Sequence, residues 1–179
     1  MKIIIENSTC SNEFAKKMIE VIGDNACVEH FENIDLSNAQ TAVVLCSLGG
    51  SYDAKNVDAS SISVFIARWI DYAKVASQSI KENNVSTVYL LLNREYDNLI
   101  NESISKIIKD IFEQLKVECS INIIETNIEL MLNSNFAQMR FGYTERFTKP
   151  NIDKIMSICN LINTQSSMNH CGVVYSTSL

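Results

Sequence analysis

Glycine and proline are scarce in this chain: five and one among 179 residues. Loops that cradle phosphate on bare backbone need glycine, so little material is left for them. The scarcity fits long helices and strands joined by short polar loops, and no internal repeat or low-complexity linker interrupts them. Cysteine is present but unpatterned. Cys10, Cys27, Cys46, Cys119, Cys159 and Cys171 form no CxxC pair and no framework spacing, which predicts reduced, mostly buried thiols instead of a disulfide scaffold or a zinc ribbon. Basic charge is also short. Lys and Arg number 15 against 21 Asp and Glu, a net charge of −6, and no basic stripe marks a nucleic-acid surface. No apolar run approaches the roughly 20 residues of a membrane helix. No basic segment leads into an apolar one at the start, so a soluble cytoplasmic protein is expected and the sequons at Asn7, Asn84 and Asn101 carry no weight.

What is there is an alternation of apolar strands and amphipathic helices over one domain, residues 1–179. The strand runs are Lys2–Ile5, a short ACVEHF segment, TAVVLC at 41–46, STVYLLL at 86–92, CSINIIE at 119–125 and GVVYS at 172–176. Helices are predicted from about Asn12 to Ile22 with Gly23 as C-cap, from about Ala59 to Asn83, from about Asp97 to Lys116, and over 149–162 with Pro150 in the first turn. Phe65, Trp69, Ala73, Ala76 and Ile80 form the stripe of the second helix. Apolar strands alternating with helices predict a mostly parallel sheet covered on both faces, a Rossmann-like three-layer α/β/α sandwich.

In such a fold the first strand, turn and helix make the nucleotide-phosphate cradle. Here that stretch is IENSTCSNEF, residues 5–14, and it has no glycine. Other candidate chemistry is thin. Cys27 and His30 have ligand chemistry but no second pair at metal spacing, so no metal is expected. His170 and Cys171 are neighbours in an extended segment and point to opposite faces. Cys46 ends a strand beside Gly49 and Gly50, where open α/β sheets bind ligands, and is the best nucleophile candidate, although no general base is identifiable for it.

The last third of the chain carries a more specific pattern. CSINIIETN, 119–127, sits like a sixth-strand motif with Asn122 on its Asn. Arg146-Phe147, Pro150, Leu161-Ile162 and Cys171-Gly172 follow in order. This order resembles the C-terminal segment of the short-chain dehydrogenase/reductase superfamily, and of its 3-oxoacyl reductase-like ketoreductases in particular. The resemblance implies a dinucleotide-binding fold, and it implies where the cofactor and catalytic groups should fall. The family's glycine turn, TGxxxGxG, falls on Asn7, Ser11 and Glu13. Its NNAG motif corresponds to Cys46, Ser47, Leu48 and Gly49, with only the glycine kept. Its catalytic Tyr falls on Tyr96, but Ile100 stands where the Lys belongs, and the Ser-bearing loop is reduced to NREYD. A phenol without that cation has little reason to act near neutrality. Only 17 residues lie between Gly23 and the strand at 41, so the adenosine-binding part is shortened.

The expectation is therefore a degenerate family member, a pseudoenzyme without NAD(P). Asn7, Ser11, Glu13, Cys46 and Gly49 would form a remnant cleft, with Glu13 as a carboxylate at the helix N-terminus repelling the anion. The resemblance further implies pairing through the two long helices, by Phe65, Trp69, Ile80, Leu99, Ile104, Ile108 and Leu115, with a second copy or an active reductase. Two alternatives stand beside it: an active NAD(P)H-dependent reductase with an atypical site using Tyr96, and a small-ligand or regulatory module built on the remnant cleft.

Overall fold

The structure, a computed structural model, describes residues 1–48, 59–93, 99–126, 152–165 and 174–176. The segments of the C-terminal pattern at Arg146-Phe147, Pro150 and His170 to Gly172 lie outside them, as do Gly49, Gly50 and Tyr96.

Six strands make one sheet: β1 (Lys2–Ile5), β2 (Cys27–His30), β3 (Thr41–Cys46), β4 (Thr87–Asn93), β5 (Ser120–Thr126) and β6 (Val174–Ser176). All neighbours pair in parallel, in the order β2-β1-β3-β4-β5-β6. The helices are α1 (Thr9–Ile22), α2 (Ala59–Glu82), α3 (Leu99–Glu113) and α4 (Ile152–Gln165). The α/β sandwich read from the alternation is the architecture observed.

The period of two along each strand sorts the core into two layers. Ile4, Ala42, Val44, Val88, Leu90, Ile121 and Ile123 face α2 and α3. Ile3, Ile5, Val43, Leu45, Tyr89, Leu91 and Ile124 face α1 and α4. Strands buried on both faces need apolar residues at every position, which is why TAVVLC reads as an unbroken run and is buried throughout. Each fully buried Ile or Leu is worth about 1.5–3 kcal/mol relative to exposure. No helix among the described residues is long and apolar enough to cross a membrane.

α1 starts three residues before the predicted Asn12. Ser8, in extended conformation, is the N-cap and its side chain accepts from Ser11 N–H. At the other end Gly23 adopts φ +87° and donates its N–H to Ile19 O at 2.8 Å, the left-handed stop that only glycine takes without strain. α3 is shorter than the predicted 97–116 helix: its last turn tightens into a 3-10 turn at Gln114–Val117.

Six of the seven predicted interface residues are a correction. Phe65, Trp69, Ile80, Ile104, Ile108 and Leu115 are all buried inside the chain's own core, and Leu99 opens α3. The apolar face of α3 is wider than one stripe because two neighbours cover it. Ile104, Ile108 and Phe112 are buried in one cluster with residues of the sheet and of α2, Ile100 and Ile111 pack against that cluster, and α2 and α3 lie in contact.

Candidate functional site

A doubly wound sheet opens a crevice where the winding reverses, outside the carboxyl ends of the two strands concerned. Here β1 is followed by β2 on one side, and β3 by β4 on the other. The crevice therefore lies between the ends of β1 and β3. Glu6, Asn7 and Ser8 leave β1 there, and Ser47 and Leu48 leave β3.

Side chains of the chain itself bond to one another at the described edge of this crevice. The Ser47 hydroxyl donates to the Glu6 carboxylate, joining the two strand ends across 41 residues of sequence. Ser47 is almost completely buried, and a hydrogen bond to a charged acceptor is stronger than one between neutral groups. Beside it, Ser8 Oγ donates to Ser11 Oγ at 2.9 Å and accepts from Ser11 N–H at 3.2 Å. Ser11 is fully buried. The N–H that a phosphate would take at a helix N-terminus is thus already bonded to a side chain of the chain itself.

Of the residues expected in the cleft, Asn7, Ser11 and Cys46 lie at this edge. Asn7 is exposed and its Oδ1 accepts from Asn12 Nδ2 at 3.3 Å. Glu13 is a correction. It is exposed and stands beyond the first turn of α1, which holds no acidic residue. The carboxylate at the crevice is Glu6, which the glycine-turn alignment passes over. Its signal in the sequence is its place, directly after the apolar run of β1.

Cys46 is also a correction as a nucleophile. It is 2% exposed, and burial, reinforced by the nearby Glu6 charge, pushes its thiol far above the ordinary range. A thiolate is the reactive form, and this site disfavours it twice. Leu48 follows at φ +45°, an uncommon conformation for a Leu side chain. It is held there by burial and by Asn101 of α3, whose Nδ2 donates to Leu48 O at 3.3 Å.

The end of β2, where a dinucleotide's ribose would meet an acidic residue, is likewise committed. Glu29 pairs with Lys2 Nζ at 2.6 Å and accepts the Asp35 N–H at 3.3 Å. The Lys2 ammonium is raised by that bond to Glu29. Glu32 accepts from the Tyr72 hydroxyl at 2.9 Å, and burial together with that bond raises the phenol. β2 passes into a 3-10 turn, Phe31–Asn33, and reaches β3 with no helix between. Phe31 stacks on Tyr72 with ring centroids 4.5 Å apart and 7° between planes, and meets Trp69 edge-on at 6.1 Å. These rings occupy the α2 side of the sheet near the shortened unit.

Among the described residues no group of three or more His, Cys, Asp and Glu is placed to hold a metal ion. Cys27 is exposed and His30 half-buried on the edge strand. No protein-family model matches the chain, and no curated protein does either.

Proposed function

We propose that this chain is a non-catalytic subunit with a reductase-like fold, whose dinucleotide crevice is closed by its own side chains. The observation that carries the reading is the Ser47–Glu6 bond across the switch point. A carboxylate at that place repels pyrophosphate, and the Ser8 cap takes one of the N–H groups at the helix N-terminus. The strand order is shared by more than one kind of doubly wound sheet, and it agrees with the short-chain reductases after one deletion. The six-stranded dinucleotide fold runs 3-2-1-4-5-6. Removing its third strand and renumbering gives 2-1-3-4-5, the order of the first five strands here. The direct 3-10 connection from β2 to β3 fits such a deletion.

As a subunit it pairs with a second copy or with an active reductase of the same fold, acting in ketoreduction of the fatty-acid or polyketide kind. The surface left for that on the long helices is outward: Val64 and Val75 on α2 and Ile107 on α3 are exposed.

Calorimetric titration with NADH and NADPH tests the reading. No heat up to millimolar cofactor is the expected result. Micromolar binding of either would overturn it and put an atypical reductase in its place.

A further inference from the structure

We draw no further inference here: the strongest candidate, the cavity of about 340 Å³ between the C-terminal end of α2 and the 3-10 turn after α3, has a rim paired within the chain by Lys81–Glu118 and by Cys119 Sγ on Leu115 O, and nothing in the structure shows what covers its floor of Ile80, Val85 and Leu115.

Discussion

Ser47, the first residue past β3, donates its hydroxyl to the carboxylate of Glu6, the first residue past β1. The bond links the only two strands between which the winding of the sheet reverses among the described residues. It places an acidic group between the two strand ends, and its removal should be felt in stability before anything else.

Glu6→Ala and Ser47→Ala should each lower the unfolding free energy by about 1.5–3 kcal/mol, the range of a hydrogen bond to a charged group. Because the two groups share one bond, the double variant should lose less than the sum. Urea unfolding of the four proteins measures the coupling. Strictly additive losses would mean that the bond contributes nothing.

Asn101→Ala should cost about 1–2 kcal/mol, since it removes the donor to Leu48 O from a buried position. The loss should be local as well as global. Leu48 is held at φ +45°, and without that bond the amides at the end of β3 should exchange hydrogen faster than those of β4. Unchanged exchange at Ser47 and Leu48 would show that burial alone holds the turn.

Phe31→Ala should destabilise by about 3–4 kcal/mol. It empties a buried ring site between Tyr72 and Trp69, and large-to-small changes there cost both transfer and cavity terms. Tyr72→Phe keeps the stack and loses only a partly exposed hydroxyl bond to Glu32, so it should cost less than about 1 kcal/mol. Equal effects of the two changes would mean that the ring stack is not what the 3-10 turn rests on.

Thiol chemistry should separate the cysteines. Cys27 is exposed and should react with a water-soluble thiol reagent in the native state, whereas buried Cys46 and Cys159 should react only on unfolding. Mass spectrometry of labelled peptides reads this directly. Native labelling of Cys46 at a rate matching Cys27 would reopen its candidacy as a nucleophile.

The same burial sets a pH dependence. Cys159 is pushed from 9.0 up to about 11 by burial. Cys119 is pushed from 9.0 up to about 11 by burial and the Glu118 charge. A group raised in the folded state binds more protons there than in the unfolded chain. Its contribution is therefore complete below pH 9 and lost as pH rises towards 11. Urea midpoints should fall across that window, and Cys159→Ala should flatten the slope. A midpoint that rises between pH 9 and 11 would contradict the assignment.

Much of the fold is legible in local pattern. Lys2–Ile5 and Thr41–Cys46 match their apolar runs residue for residue, and the stripe Phe65, Trp69, Ala73, Ala76 and Ile80 is the buried set of α2. Periodicity reports such elements because one buried face imposes its spacing on the residues. It fails at the first turn of α1, where Thr9 to Asn12 offer Cys10 alone to count and Ser8 acts through hydrogen bonding instead. It fails in another way on α3. A wide apolar face reads the same whether a partner or a neighbouring helix covers it, and here the sheet and α2 share the covering.

By itself, the sequence determined the local elements, the two-sided burial of the strands and the want of glycine in the first turn, because each is a property of neighbouring residues. The order of the strands was decided by tertiary structure. An apolar run looks alike at any position in a parallel sheet, and only pairing puts β1 between β2 and β3. That order in turn made Glu6 a crevice residue. Its partner Ser47 stands 41 residues away, and no spacing rule links them until the two strand ends lie side by side.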